Sequence, residues 1–344
     1  MSQVLIIAEA GVNHNGSVGR ALELVDVAAD AGADAVKFQT FRADELASKT
    51  AHTARYQASR TGEAEQLAML QSLELDEAAH ARISERCAKR GIEFMSTAFD
   101  PASVLLLERL GVRRFKIPSG EITNPLLLRA IRACDKPMIL STGMCNLADI
   151  EWALAVLAHP NEKKPRYSPT TCSTLNTRVT LLHCTTEYPA PMEDVNLRAM
   201  CTMRAAFELP VGYSDHTLGL SVPTAAVALG ATVIEKHFTL DRSLAGPDHQ
   251  ASLEPRELEA MVRAIRDVTR ALGSGIKAPT ASEFPNVAVA RRSIVACRSI
   301  RSGERFSAEN VTVKRPGSGI SAARWDDVIG DTAKRDYEAD ELID

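Results

Sequence analysis

Eight short apolar runs alternate with amphipathic stretches over the first 240 residues, and this alternation constrains the fold more than any other feature. The runs have the length and β-branched content of buried strands, and they occupy residues 5–8, 35–38, 93–96, 114–117, 138–141, 180–183, 211–213 and 232–237. Helical periodicity lies between or after them at residues 19–31, 76–90, 103–110, 124–133, 147–158, 197–207 and 254–272. Strict alternation predicts a parallel sheet, and the count of eight favours a closed (β/α)₈ TIM barrel over an open doubly wound sheet.

Changes in local composition divide the chain further. A long polar insertion at residues 40–72 follows the second strand, where loops of a barrel commonly set binding specificity. A second polar excursion, at 160–177, suggests no function. We predict a catalytic barrel over 1–272, a Gly- and Pro-rich linker over 273–285, and a small β-rich domain over 286–344. The expected strands of that small domain are 291–295, 305–307 and 311–314.

The composition excludes several classes of protein. A net charge of −4 and a pI near 6.1 give no basic footprint for nucleic acid or for an anionic membrane. No apolar stretch approaches the roughly 20 residues that cross a bilayer, and no signal peptide is expected. The seven cysteines are odd in number and none form a Cys-x-x-Cys pair, which favours reduced thiols and a cytoplasmic location.

Polar residues gather where the predicted strands end. Their positions are Glu9, Asn13, His14, Lys37, Gln39, Ser96, Thr97, Lys116, Ser119, Glu121, Ser141, Thr142, Thr185, Tyr188, Ser214, Asp215, His216, Glu235 and His237. The carboxyl face of a (β/α)₈ barrel is where active sites are built from successive loops. This clustering therefore predicts an enzyme rather than a binding scaffold.

Two of these histidines, His216 and His237, end neighbouring strands and could converge on one ion. With an oxygen donor such as Glu9 or Asp215 nearby, the set suits a borderline divalent metal, Mn²⁺ first, with Mg²⁺, Co²⁺ or Zn²⁺ as alternatives. A hydrogen-bonded structural role remains open for each histidine.

Lys37 and Lys116 lie within otherwise apolar strands. A buried ammonium is costly unless it is paired, so each requires either a carboxylate partner or an anionic ligand. The hydroxyls around them favour a cradle for phosphate and carboxylate groups. A Schiff-base lysine is the alternative, although such chemistry has no need of metal-type histidines.

The motifs at these positions resemble the sialic acid synthase family. They are EAGVNHNG at 9–16, KFQ at 37–39, KIPSGE at 116–121, LSTGM at 140–144, YSDHT at 213–217 and EKHF at 235–238. The tail VKRPGSGI at 313–320 resembles the C-terminal antifreeze-like (SAF) domain of that family, so the likeness spans essentially the whole chain.

The resemblance implies a metal-dependent synthase that joins phosphoenolpyruvate to an N-acetylated amino-sugar aldehyde. It implies a domain-swapped homodimer in which the partner's antifreeze-like domain covers the barrel mouth. The metal ligands would be His216 and His237, and Glu9 and Glu121 would assist the chemistry. Phosphoenolpyruvate would be bound by Lys37, Thr97, Lys116, Ser119, Ser141 and Ser214, and the amino sugar by Gln39, Tyr188, Asp248 and, from the other subunit, Arg315.

One difference from the family motif at the sixth strand bears on which sugar is the substrate. N-acetylneuraminate synthases resemble Cys-Thr-Asn-x-Tyr-Pro at the sixth strand, whereas here Thr186 replaces the asparagine. With the segment at 243–253, this looks like the legionaminic acid synthase branch, whose substrate is a 2,4-diacetamido-2,4,6-trideoxyhexose. The alternatives are an N-acetylneuraminate synthase using N-acetylmannosamine, a pseudaminate synthase, a lysine-dependent aldolase and a sugar-binding protein without catalysis.

Overall fold

A computed structural model of the chain describes residues 3–63 and 65–344. The chain divides into two compact units, Met1–Ser274 and Gly275–Asp344. Within the described residues, no helix combines the length and the apolar character that crossing a bilayer requires.

The first unit is built on a closed barrel of eight parallel strands, as the alternation predicts. The strands are β1 (Leu5–Gly11), β2 (Ala35–Thr40), β3 (Glu93–Ala98), β4 (Phe115–Ile117), β5 (Met138–Ser141), β6 (Val179–His183), β7 (Val211–Asp215) and β8 (Val233–His237). Each strand pairs with the next in sequence, and β1 pairs with β8 to close the barrel.

Helices connect the strands and pack around them. They are α1 (Val18–Asp30), α2 (Ala43–Leu46), α3 (Arg55–Thr61), α4 (Gln66–Leu73), α5 (Glu77–Arg90), α6 (Pro101–Arg109), α7 (Pro125–Ala133), α8 (Leu147–Ala158), α9 (Pro169–Leu175), α10 (Ala199–Phe207), α11 (Ser221–Ala228) and α12 (Pro255–Ala271). Several begin at a polar residue whose side chain accepts from the first turn. Asp76 accepts from the N–H of Ala79 at 2.7 Å, and Asp100 accepts from that of Ser103 at 2.7 Å. These caps fix where the strand-to-helix loops end.

The barrel interior has an apolar lower layer and a polar upper layer. Ile7, Ala35, Met95, Ile139, Leu182 and Val233 form one buried apolar cluster. Two residues further along their strands stand Glu9, Lys37, Thr97, Ser141, Cys184 and Glu235. Because side chains of a strand alternate between its two faces, the second set stands on the same inner face and one layer nearer the carboxyl end. The apolar layer therefore forms the floor of whatever site lies above it.

The second unit has its own small core around Ile294, Ile300, Phe306 and Tyr337. It contains helices α13 (Phe284–Ala290) and α14 (Trp325–Val328), and strands β9 (Ser293–Ala296) and β10 (Val311–Lys314), which pair antiparallel. The predicted strand at 305–307 is wrong, because only an isolated bridge joins Arg305 to Thr332 there. Helix α13 also begins within the predicted linker. All seven cysteines are free.

Candidate active site

A cavity of about 160 Å³ opens at the carboxyl end of the barrel, above the apolar floor. It is lined by Glu9, Lys37, Gln39, Thr97, Phe99, Lys116, Pro118, Ser119, Gly120, Ser141, Cys184, Thr186, Tyr188, Ser214, His216, Glu235 and His237. These residues come from every one of the eight strands or the loops after them. Most of the residues selected from the sequence thus meet in one place.

Two lysines and two carboxylates form a buried charge cluster in this cavity. Lys37 Nζ lies 2.8 Å from Glu9 Oε2 and 3.5 Å from Glu235 Oε2. Lys116 Nζ lies 3.2 Å from Glu235 Oε1. Ser214 donates to Glu235 at 2.9 Å, and Lys37 donates to Thr97 at 2.8 Å. Each lysine therefore has the carboxylate partner that its burial demands.

The two carboxylates of the cluster differ in protonation. Burial raises the pKa of Glu9 to about 7, with Lys37 opposing that shift and the neighbouring Glu235 adding to it. Burial also acts to raise the pKa of Glu235, but Lys116 and Lys37 outweigh it and hold that pKa well below its ordinary value. Environments that separate two neighbouring carboxyls in this way assign them different roles. Glu235 is a fixed anion, and Glu9 is able to exchange a proton near neutral pH.

The two lysines of the cluster also differ in the direction in which their pKa is shifted. Burial acts to lower the pKa of Lys37, but Glu235 and Glu9 together raise it above its ordinary value. Burial lowers the pKa of Lys116, which Glu235 only partly offsets. Both side chains are at most 4% exposed.

His216 and His237 line the same cavity, with their ring centres 5.6 Å apart. The Nδ1 of His216 lies 2.6 Å from the carbonyl oxygen of Thr185; an N–H donated there leaves Nε2 as the nitrogen with a free lone pair. Burial lowers the pKa of His216 to about 4 and that of His237 well below its ordinary value. Both imidazoles are therefore neutral at pH 7, the state that metal binding requires.

Tyr188 packs against both histidines. Its ring stacks on that of His216 with centres 4.1 Å apart, and meets the ring of His237 edge-on at 5.6 Å. Asp248 also lies near His237, with its Oδ2 4.0 Å from His237 Nδ1. Burial raises the pKa of Asp248 to about 6, and Arg60 opposes that shift.

Nine residues considered in the sequence are not among those lining the cavity: Asn13, His14, Ser96, Glu121, Thr142, Thr185, Asp215, Asp248 and Arg315. Glu121 accepts from the Asn124 side chain at 2.7 Å. Asp248 does not line the cavity but lies next to His237, which does. Arg315 belongs to the second unit, where its Nε donates to the carbonyl oxygen of Ala290 at 3.0 Å. Asp215 faces the opposite side of its strand and pairs with Lys236 at 2.5 Å, so it is not the oxygen donor near the histidines.

The sequence placed Glu235 among the polar residues at the strand ends but predicted no role for it, whereas the structure joins it to both lysines and to Ser214. Its only sequence signal was an acidic residue within the buried run 232–237, two positions from His237. The surroundings of Ser119 were missed as well. The N–H of Gly143 donates to Ser119 Oγ at 2.8 Å, and a Cβ at Gly143 would stand 2.2 Å from Thr186 Oγ1. Any larger residue at this position would force the Thr186 side chain or the loop to shift.

Comparison with known proteins agrees with the fold and the motifs. Residues 24–277 match the model of the NeuB family, and residues 291–344 match that of the SAF domain. The chain is 51% identical to a Campylobacter jejuni protein named N,N'-diacetyllegionaminic acid synthase, over 100% of this chain and 99% of that one. It is 50% identical to a Legionella pneumophila protein of the same name, over 94% and 89% of the two chains.

A solved structure extends the comparison. The N-acetylneuraminic acid (sialic acid) synthetase of Leptospira borgpetersenii, crystallised with citrate, superposes with a TM-score of 0.70 at 34% identity, covering 83% of this chain and 90% of that one. The resemblance predicted from the motifs is confirmed, and so is the barrel followed by a SAF domain.

Proposed function

Since the chain belongs to the NeuB family, we propose that it condenses phosphoenolpyruvate with an N-acetylated amino-sugar aldehyde. The acceptor we propose is a mannose-configured 2,4-diacetamido-2,4,6-trideoxyhexose, and the products are N,N'-diacetyllegionaminate and phosphate. The identity of half the residues to two N,N'-diacetyllegionaminic acid synthases supports this acceptor over N-acetylmannosamine, because the sialic acid synthetase is identical at only 34%.

The charge cluster carries the proposal for phosphoenolpyruvate. Lys37 and Lys116 are buried cations that share Glu235 as a partner, and Lys37 also pairs with Glu9. Ser141 Oγ is buried in the same cavity without a hydrogen-bond partner among the described residues. An unpaired buried hydroxyl costs free energy unless a ligand satisfies it. A phosphate or carboxylate oxygen would accept from Ser141 and lie against the ammonium groups.

The reaction then follows from the groups that line this cavity. C3 of phosphoenolpyruvate forms a bond to the aldehyde carbon, the aldehyde oxygen takes a proton, and positive charge develops at C2. Water adds at C2, and the bond from C2 to the phosphate oxygen breaks to leave a ketone and inorganic phosphate. Glu9, with its pKa about 7, is placed to exchange the protons of these steps. The fixed Glu235 carboxylate would hold both lysines in position while the phosphate charge changes.

We propose His216 and His237 as the protein ligands of a divalent ion, with Mn²⁺ as the first choice. Their neutral rings and the 5.6 Å between ring centres fit two ligands of one ion. The described residues contain no group of three or more His, Cys, Asp or Glu side chains arranged to hold a metal, so other positions would be left for water or substrate. A bound ion would supply Lewis-acid polarisation of the aldehyde.

A substrate panel tests the proposed function. Purified protein with Mn²⁺ and phosphoenolpyruvate is offered the diacetamido-trideoxy sugar or N-acetylmannosamine, and phosphate release and product mass are measured. We expect the higher kcat/KM with the diacetamido sugar. A preference for N-acetylmannosamine would transfer the assignment to N-acetylneuraminate synthesis. Borohydride trapping of pyruvate on a lysine, without phosphate release, would replace the mechanism by that of an aldolase.

We also propose that a second copy of the chain covers the cavity. Large apolar side chains are exposed in the loops and helix starts after four successive strands, β4 to β7: Leu126, Met144, Met192 and Leu218. A group of exposed apolar side chains beside the opening of a candidate active site is typical of a surface that another subunit buries. If Arg315 acts on the partner's site, mixing a His216→Ala variant with an Arg315→Ala variant should restore about a quarter of the sites after random exchange. Full inactivity of the exchanged mixture would place Arg315 in its own subunit's site, and an Arg315→Ala variant that is active alone would place Arg315 outside catalysis.

A further inference from the structure

Arg60 contacts two loops of the candidate site at once. It lies in α3, within the insertion that follows β2. Its Nη2 donates to the carbonyl oxygen of Tyr188 at 2.5 Å, and its Nη1 donates to that of Pro247 at 2.6 Å. Tyr188 follows β6 and Pro247 follows β8. One guanidinium therefore joins the loops after three separate strands.

Both carbonyls belong to segments that flank the two histidines. The Tyr188 ring stacks on His216 and meets His237 edge-on. Pro247 directly precedes Asp248, whose carboxylate lies 4.0 Å from His237. The guanidinium is planar and always charged, and its forked donors can hold two acceptors in a fixed relation. A shift of Arg60 would move Tyr188 and Asp248 relative to the histidines and to each other.

The residues proposed to bind phosphoenolpyruvate are fixed differently from Tyr188 and Asp248. Lys37, Thr97, Lys116, Ser141 and Ser214 all stand on the barrel strands, whose backbone is fixed by the closed sheet. Tyr188 and Asp248 stand on loops, which are more mobile than strands unless side chains restrain them. The two halves of the site therefore differ in what fixes them.

We propose that Arg60 is a positioning residue that holds Tyr188 and Asp248 in place and so sets the affinity for the amino sugar, with little effect on that for phosphoenolpyruvate. This rests on the proposed function for the identity of the two substrates. It also gives a role to the insertion at 40–72, whose helix α3 carries the guanidinium across the mouth of the barrel.

Steady-state kinetics of Arg60→Gln and Arg60→Lys test this inference, with Arg42→Gln as the control. Arg42 is an exposed arginine of the same insertion. We expect KM for the sugar to rise about tenfold in Arg60→Gln, KM for phosphoenolpyruvate to stay within about twofold, and Arg60→Lys to lie between. A variant that was merely less stable would lose active enzyme and leave both KM values unchanged. Unchanged KM values, or equal rises in both, would overturn the inference.

Hydrogen exchange gives a readout that needs no substrate. In Arg60→Gln we expect faster amide exchange in peptides covering 185–192 and 244–252, and unchanged exchange in the barrel strands. Equal protection in wild type and variant would overturn the positioning role, whatever the substrates are. Faster loop exchange in an enzyme that used neither sugar of the panel would instead retain the positioning role and reject the proposed function.

Discussion

Replacement of Lys236 by methionine is expected to destabilise the barrel more than any loss of a surface ion pair. Lys236 Nζ lies 2.5 Å from Asp215 Oδ2 and donates to the carbonyl oxygen of Thr217 at 2.6 Å, and both charged side chains are 0% exposed. Burial lowers the pKa of Lys236 even with the carboxylate beside it, so desolvation outweighs the attraction. Removing the cation leaves a buried anion, which typically costs about 3–5 kcal/mol. Asp215 keeps two donors from Thr217, the N–H at 3.0 Å and the hydroxyl at 2.9 Å, which favours the lower end, about 3 kcal/mol.

Tryptophan fluorescence can isolate the barrel in this measurement. The chain has two tryptophans, Trp152 in α8 and Trp325 in the second unit, so a Trp325→Phe background reports barrel unfolding alone. At about 2–4 °C per kcal/mol for a unit of this size, Lys236→Met should lower Tm by roughly 6–12 °C. The matched control is Arg263→Met, which removes an exposed pair with Glu259 and should cost less than about 1 kcal/mol.

A double variant separates the burial of charge from the loss of packing. Asp215→Asn combined with Lys236→Met removes both charges, and we expect it to recover most of the lost stability, because apolar or neutral replacement of a buried pair is often neutral. If Lys236→Met cost no more than Arg263→Met, or if the double variant were no more stable than the single one, the reasoning would be refuted. Either result would mean that water or another group reaches Asp215.

Three further predictions concern the site, pH and the metal. Gly143→Ala would place a Cβ 2.2 Å from Thr186 Oγ1 and 3.0 Å from Ser119 Oγ, so we expect at least a tenfold loss of kcat/KM with a stability loss of about 1–3 kcal/mol; wild-type kinetics would show that the loop relaxes freely. Burial lowers the pKa of His14 from 6.5 to about 4, so the native state binds fewer protons than the unfolded chain in that window. Stability present above pH 6.5 should be lost as pH falls to 4, by about 3 kcal/mol for this residue, and urea titrations should show that loss reduced in His14→Gln. Chelation by EDTA should abolish turnover and added Mn²⁺ should restore it, whereas full activity in EDTA would reject the metal.

The barrel could be predicted from the sequence because each strand is short, β-branched and bounded by helical periodicity. The predicted bounds of the fifth strand, 138–141, match the observed strand, and every other predicted barrel strand ends within three residues of the observed end. The insertion could not be predicted in the same way. Its helices Ala43–Leu46, Arg55–Thr61 and Gln66–Leu73 have four to eight residues, too few to display a 3.6-residue period against a polar background. The contact of Arg60 with carbonyls 128 and 187 residues away leaves no local pattern at all.

The eighth strand shows why the site was recovered only in part. Glu235, Lys236 and His237 are consecutive polar residues, and composition alone treats them alike. Strand alternation separates them: Glu235 and His237 face the cavity, while Lys236 faces the helices and pairs with Asp215, which alternates in the same way beside Ser214 and His216. The sequence signal for a strand end was strong enough to select both histidines, but the role of Glu235 depends on which neighbours the closed barrel brings to it. Lys37 and Lys116 come from strands more than a hundred residues away, and only the closure of β8 onto β1 brings Glu235 within reach of both. The three-dimensional structure therefore adds to this site the knowledge of which side chains contact each other, whereas the residue types could be read from the sequence.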